Sequence, residues 1–419
     1  MRIAVAAFGS RGDFQPMAAL ACALAARGHD VRLIGLGEHA PLLTGRGVDF
    51  RALSGDHAAI FQGEAGRRMF SSGRHPIRLI RAAAEISRQW LPRWARELRD
   101  HAAGVDLLIG ELTSFAVMAS LGEAWDVPSL EVLLQPVLRS SAMASPLVGA
   151  LPFRLPGSLN LLSHDLATQL LWQPVRTLYN RIRRELLDLP PWPVFGPFAG
   201  FARARRPVLM AYSDVVVPRP RDWGAEIAVT GYWFLDRPPD WQPPDDLRRF
   251  LADGPPPIYL GFGSMEMPDA AATARILVAA IQETGCRAIM AAGWGGLAST
   301  ERSPEIFAVD AIPHDWLFPR MAAIVHHGGA GTTAAALRAG VPSVVVPFMA
   351  DQPYWAGRLT ALGVAPPAIG HGRLTTSALA AALRIVLDDT AMRARTAALG
   401  ARIRAEDGLG VAVARVEAF

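Results

Sequence analysis

Three short stretches of this chain have residue types and spacings suited to chemistry. In the first, His326 and His327 end an apolar run and lead into Gly328, Gly329, Ala330 and Gly331, a loop almost without side chains. Thr332 and Thr333 follow and can cap a helix, which Gly340 stops. A glycine-rich turn that opens a helix leaves N–H groups free at the positive end of the helix dipole, an anion site suited to a diphosphate. In the second stretch, Asp351 and Gln352 follow an apolar strand, at the carboxyl end where open α/β sheets bind ligands. The third is Gly9-Ser10-Arg11-Gly12-Asp13, after the first apolar run. A carboxylate within reach of a hydroxyl is a candidate general base, although Asp13 could equally cap the helix behind it. Ser10 and Arg11 could face a diphosphate or an acceptor, and Arg11 could equally be a surface arginine.

The elements around these residues read as alternating strands and helices. Residues 2–7 form a buried parallel strand, a helix runs from Pro16 to about Arg27, and residues 31–36 form the next strand, a βαβ unit. Residues 258–263 start a second such series, with Gly261-Phe262-Gly263-Ser264-Met265 turning into a helix over 270–284. Ser264 is a candidate phosphate contact or a simple cap. The strand over 287–291 leads to Trp294, a candidate contact for a nucleotide base. Neither GSRGDF nor GFGSME completes a G-x-G-x-x-G fingerprint, and no Gly-Lys-Ser/Thr is present, so nicotinamide and P-loop readings lose their main support. Adjacent strand residues point to opposite faces, and no carboxylate or cysteine cluster completes a set with His326 and His327, so no metal site is expected.

The 419 residues suggest two or three domains with ample core, and 51% hydrophobic against 19% charged residues is a globular composition. All 42 basic residues are arginine, and the net charge of +4 is too small to argue for nucleic acid. Cys22 and Cys286 sit in apolar segments, as buried thiols of a reducing compartment would. No stretch is apolar for long enough to span a membrane or serve as a signal peptide, so a cytoplasmic protein is expected. Residues 74–99 are rich in arginine beside Trp90 and Trp94. They form either a surface for an anionic membrane or lipid, or a solvated helix face. Residues 136–205 are rich in proline and aromatics.

The segment 321–359 resembles the donor-binding signature of family 1 glycosyltransferases. It is most similar to the bacterial glycopeptide-antibiotic and sterol-glucosyltransferase branch, which reads HHG-x-(A/S)-G-T and then a DQ pair. The S-R-G-D turn matches the same branch, in which that Asp is the base. The resemblance implies a GT-B fold: two Rossmann-like domains face across a cleft, and a C-terminal helix crosses back to the first. The corresponding division is 1–231 for the acceptor domain, 232–257 for a proline-rich linker, 258–405 for the nucleotide-sugar domain and 406–419 for the terminal helix. It implies an inverting, metal-independent transferase with no cofactor beyond a UDP- or dTDP-sugar co-substrate, and Asp13 as base. Ser10, Arg11, Ser264, Trp294, His326, Gly328, Gly329, Ala330, Gly331, Thr332, Asp351 and Gln352 would bind the donor. His326 would reach a phosphate, His327 would pack, and Asp351-Gln352 would hold sugar hydroxyls. The 136–205 loops would wall an apolar acceptor, an antibiotic-like aglycone or a sterol or other lipid. Plant relatives place a base-stacking Trp and a ribose-gripping Glu where this chain has Ala311 and Ala334, which weakly permits a deoxyribose donor. In His-base relatives an acidic residue near Glu111 orients the base; with an Asp base, Glu111 has no such task.

Three other readings share parts of this pattern: a sugar epimerase on the same architecture, a non-catalytic partner of a transferase, and a dehydrogenase. The DQ pair and S-R-G-D turn oppose the first, the retained phosphate loop opposes the second, and the missing fingerprints oppose the third. Monomer and homodimer are both compatible with the sequence.

Overall fold

The computed structural model describes the chain apart from residues 57–58, 61–62, 72–75, 150–152, 264–268 and 292–303, and apart from the side chains of residues 70, 71 and 76. Contacts divide it into two compact units. The first is Met1–Val148 with Phe153–Leu235 and Glu406–Phe419, and the second is in the main Asp236–Ala405. The stretch 232–257 is shared: Trp233 lies in the core of the first unit and Leu247 in that of the second.

In the first unit the described residues form a seven-stranded, all-parallel sheet. Its strands are β1 (Arg2–Ala6), β2 (Asp30–Leu36), β3 (Asp49–Leu53), β4 (Leu107–Glu111), β5 (Ser129–Leu133), β6 (Val208–Met210) and β7 (Ile227–Val229). Their spatial order is β3-β2-β1-β4-β5-β6-β7. β1 pairs Ile3 with Val31 on one side and with Leu107 on the other, so it is central, and Ile3 to Ala6 are fully buried. That accounts for an uninterrupted apolar strand. Helix α1 (Arg11–Ala26) begins earlier than Pro16, because Ser10 caps it; Pro16 then sits inside the helix.

The helices that follow in this unit are α2 (Glu64–Ser71), α3 (Pro76–His101), α4 (Phe115–Trp125), α5 (Gly157–Trp172), α6 (Arg176–Leu187) and α7 (Phe198–Arg203). In α3, Trp94 packs 4.9 Å from Phe8 and Trp90 stacks on Trp94, so both tryptophans turn toward the core.

The second unit contains α8 (Asp245–Ala252), β8 (Ile258–Gly261), α9 (Ala270–Thr284), β9 (Ala288–Ala291), β10 (Ile306–Val309) and α10 (His314–Leu317). After these come β11 (Ala323–His326), α11 (Ala330–Ala339), β12 (Ser343–Val345), α12 (Gln352–Ala361), α13 (Thr376–Asp388) and α14 (Thr390–Arg404). The described strands form a parallel sheet ordered β10-β9-β8-β11-β12. The last helix, α15 (Gly408–Glu417), returns to the first unit. Ala412, Val413 and Val416 join the core of Phe14, Leu20 and Leu24, and Glu417 pairs with Arg27 at 3.1 Å.

Both sheets reverse strand order once, between β1 and β4 and between β8 and β11. A doubly wound sheet binds ligands beyond the carboxyl ends of its strands at such a switch point, where neighbouring connections leave to opposite faces and open a crevice.

Candidate functional site

At the first switch point, Gly9 has φ of +107°, and a Cβ there would lie 2.8 Å from Asp13 Oδ2. Glycine therefore lets the chain fold back onto the carboxylate. Asp13 Oδ2 accepts from Ser10 N at 3.1 Å and from Ser10 Oγ at 3.0 Å, while Ser10 Oγ accepts from Gly12 N at 3.3 Å. This is a capping box with Asp in its third position. The two readings of Asp13 are thus compatible: it caps α1, and the capping bonds fix the direction of a half-buried carboxylate. Arg11 is exposed, and its Nε donates to Gln15 Oε1 at 3.1 Å, so it lies along its own helix.

Below this turn Glu111 ends β4, buried. Its Oε1 accepts from Phe8 N at 3.1 Å and Ser114 N at 3.2 Å and from the Thr113 hydroxyl, and its Oε2 accepts from Thr113 N at 2.8 Å. Burial, and then the Asp13 charge, push its carboxyl up to about 7 despite these donors. His39 Nε2 lies 3.2 Å from the Gly9 carbonyl, with its ring stacked on Phe14 at 4.5 Å. Glu111 and His39 hold the turn from two sides. The sequence gives no hint of His39 or Thr113, because their partners are distant in the chain or depend on the strand order.

At the second switch point, α11 starts at Ala330 with Gly329 as its N-cap. Thr332 and Thr333 therefore do not cap it, contrary to expectation; they lie in its first turn. Among the described residues no side chain caps the N-terminus at Gly329, so Ala330, Gly331 and Thr332 present the helix start. Thr333 is fully buried, and its hydroxyl has no partner among the described residues. Gly328 has φ of +88° and turns the chain out of β11.

The two adjacent histidines take different contacts. His326 is fully buried, and its Nδ1 accepts from Gly328 N at 3.1 Å, which leaves the proton on Nε2. It braces the loop from within the unit. His327 is the ring that meets both glycine turns: a Cβ on Gly329 would lie 2.4 Å from its Nε2, and one on Gly263 3.0 Å from its Cε1. Burial lowers His326 to about 3 and His327 to about 4, so both are neutral near pH 7.

Asp351 and Gln352 follow β12 through Ala350, a non-glycine residue at φ of +54°. Asp351 Oδ2 accepts from the indole of the fully buried Trp355 at 2.8 Å. Gln352 is buried, and its Oε1 accepts from Phe348 N at 2.8 Å and Met349 N at 3.2 Å. Gln352 thus shapes the loop with its carbonyl, and Asp351 is the half-exposed member of the pair. Ser264 and Trp294 lie outside the described residues. Among the described residues no group of three or more His, Cys, Asp or Glu is placed to hold a metal ion.

The aromatics of 136–205 separate into two sets. Trp172, Tyr179 and Trp192 pack together, with the Arg183 guanidinium 4.5 Å over Trp192, whereas Phe153, Phe195 and Phe198 are exposed.

Two family descriptions match the chain: the glycosyltransferase family 28 N-terminal domain over residues 3–96, and the erythromycin biosynthesis protein CIII-like C-terminal domain over 279–412. The chain is 33% identical over 438 residues to a sterol 3-beta-glucosyltransferase of Cryptococcus neoformans, covering 99% of this chain and 27% of that protein. It is 32% identical over 428 residues to the sterol 3-beta-glucosyltransferase UGT80B1 of Arabidopsis thaliana, covering 99% of this chain and 67% of that protein. It therefore spans little more than a quarter of the fungal relative. Among solved structures it is similar to the glycotransferase of kitacinnamycin (TM-score 0.69, 19% identity, 99% of this chain and 98% of that one). It is also similar to the glycosyltransferase VinC in complex with dTDP (TM-score 0.67, 19% identity, 99% of this chain and 98% of that one). These last likenesses establish the two-domain α/β GT-B fold.

Proposed function

The chain belongs to the family 1 glycosyltransferases, and on that footing we propose that it moves a sugar from a nucleoside-diphosphate sugar to the hydroxyl of an apolar acceptor, with a sterol-like alcohol and UDP-glucose as the first pair to test. The observation that carries this reading is the similarity to sterol 3-beta-glucosyltransferases across 99% of the chain at about one-third identity. A dTDP-sugar and an antibiotic-like aglycone form the second reading. Ala334, in the place of a ribose-gripping acid, is the feature that permits it.

In the proposed reaction the acceptor hydroxyl gives its proton to Asp13 as its oxygen attacks the anomeric carbon. The bond from that carbon to the diphosphate oxygen breaks on the opposite face, and configuration inverts. The leaving charge falls on the diphosphate. The uncapped start of α11 at Gly329–Thr332 and the neutral His327 support its stabilisation, with His326 bracing the loop behind them. Asp351 would bind sugar hydroxyls while the Trp355 indole fixes its direction, and Gln352 would support it through the loop. Ser10 orients the base. Arg11 is a surface group of α1 that an anionic substrate could recruit.

The experiment is to incubate the protein, without added metal, with UDP-glucose or dTDP-glucose and a sterol or a phenolic aglycone. The glycoside is then detected by mass spectrometry and its anomeric configuration read by NMR. A β-glucoside from an α-linked donor is expected. An α-glucoside would exclude inversion, and failure of both nucleotides to bind would end the transferase reading.

A further inference from the structure

The peptide unit between Gly9 and Ser10 is held on both edges by side chains. Its N–H donates to Asp13 Oδ2 at 3.1 Å, and its carbonyl oxygen lies 3.2 Å from His39 Nε2. A peptide unit is planar and trans, so its N–H and C=O point to opposite sides and turn together. A carbonyl can only accept, so His39 donates from Nε2 and carries a proton there. Two hydrogen bonds thus run through one rigid unit, from the imidazole to the carboxylate. Bonds in such a chain polarise one another, and the one at the carbonyl strengthens the N–H as a donor.

His39 is fixed in this place by its own surroundings. It lies in the turn Gly37–Leu43 that follows β2, and it is buried. Its ring stacks on Phe14, with 4.5 Å between centroids and 28° between planes. Phe14 is fully buried and directly follows Asp13. Gly35 makes room for the Phe14 ring, since a Cβ there would lie 2.5 Å from Phe14 Cε2. One imidazole therefore grips the turn on both sides of the carboxylate, at Gly9 before it and at Phe14 after it. Glu38 Oε1 is farther from Nε2, at 3.8 Å, outside hydrogen-bond range. The turn needs such a grip. Gly9, at φ of +107°, has no Cβ to restrict the peptide that follows, and a flipped peptide would turn its N–H away from Asp13. A histidine that served packing alone would need only the stack and any acceptor. This one takes the carbonyl of a peptide whose N–H holds the carboxylate.

We propose that His39 is a positioning residue for the transfer reaction, fixing the direction of Asp13 through the Gly9–Ser10 peptide. It touches no substrate and exchanges no proton in the reaction. The inference rests on the reading of Asp13 as base. The task asks of position 39 only an N–H where Nε2 lies. A glutamine side chain supplies that N–H without a ring, whereas a phenylalanine keeps the stack on Phe14 and loses the donor.

The test compares His39→Phe and His39→Gln in the full chain, with UDP-glucose and cholesterol as substrates. His39→Phe should lower kcat at least about tenfold, with the KM for cholesterol and the affinity for UDP within about twofold of wild type. His39→Gln should restore kcat to within about threefold of wild type. A packing role would give the opposite order, because the phenylalanine ring still stacks and glutamine does not. Wild-type kcat in His39→Phe, or equal losses in both variants, would overturn the proposal. NMR of the wild-type ring nitrogens depends on neither variant: a proton on Nε2 at neutral pH is expected, and a bare Nε2 would overturn the proposal. Asp13→Asn separates this inference from the reading beneath it. Normal turnover in Asp13→Asn would overturn both, whereas an inactive Asp13→Asn beside an unimpaired His39→Phe would overturn this inference alone.

Discussion

At the residue scale the first switch point brings together two carboxylates with different surroundings. Asp13 is half-buried and oriented by Ser10, whereas Glu111 is buried under four donors with its carboxyl raised to about 7. Asp13→Asn keeps the capping geometry, since an amide oxygen still accepts from Ser10, but it cannot take a proton. Transfer should fall about 10²–10⁴-fold with UDP affinity within twofold or so of wild type, as read by calorimetry beside a turnover assay. Undiminished turnover would remove Asp13 as base. Glu111 makes a separate prediction. Its pKa is higher folded than unfolded, so the folded state binds more protons between about 4.5 and about 7. Stability from this group is therefore greatest below that window and declines as pH rises through it, by about 3 kcal/mol in all. Glu111→Gln should abolish this contribution, so urea midpoints of wild type and variant should converge or cross between pH 5 and pH 8. A constant gap would show that Glu111 does not titrate there.

At the element scale the phosphate-type loop depends on a close approach. Gly329 has ordinary helical-entry dihedrals, so alanine there is not strained by its backbone. Its Cβ would nonetheless collide with His327 Nε2. Gly329→Ala should therefore displace His327 and weaken UDP binding about tenfold or more, while near-UV and far-UV circular dichroism stay unchanged. Retained affinity would mean that the ring position is irrelevant to the donor. The strand–loop–helix pattern here was legible from the apolar run, the glycines and the stop at Gly340. The contacts of each histidine were not. Which side each of the two adjacent rings takes depends on the register of β11, and that is set by its pairing of Val325 with Leu260 and Val344.

At the scale of the whole molecule, Glu111 of the first unit and the buried histidines of the second respond to acid in opposite senses. Glu111 favours the folded first unit as pH falls. The buried histidines of the second unit have folded pKa values of about 3 and about 4, below their unfolded value, so their contribution is present above about pH 6.5 and lost as pH falls toward those values. Helix α15 closes the first unit from the far end of the chain, with Val416 fully buried against it. Val416→Asp should cost more than about 3 kcal/mol of that unit's stability, because a carboxylate there has no partner in an apolar cluster. Limited proteolysis should then cut ahead of residue 408, and resistance equal to wild type would show that the helix is dispensable.

The sequence by itself determined the alternation of strand and helix, the two glycine turns, the DQ pair and the family, because these are signalled by residues close together in the chain. The tertiary structure alone decided what depends on distant pairing. It placed Glu111 and His39 beside the Gly9–Asp13 turn, set the two adjacent histidines on different contacts, put the Gln352 carbonyl on backbone amides, and left the leucines of α5 exposed. In each case the deciding contact joins elements whose adjacency follows from strand order and packing, which a local pattern of residue types does not encode.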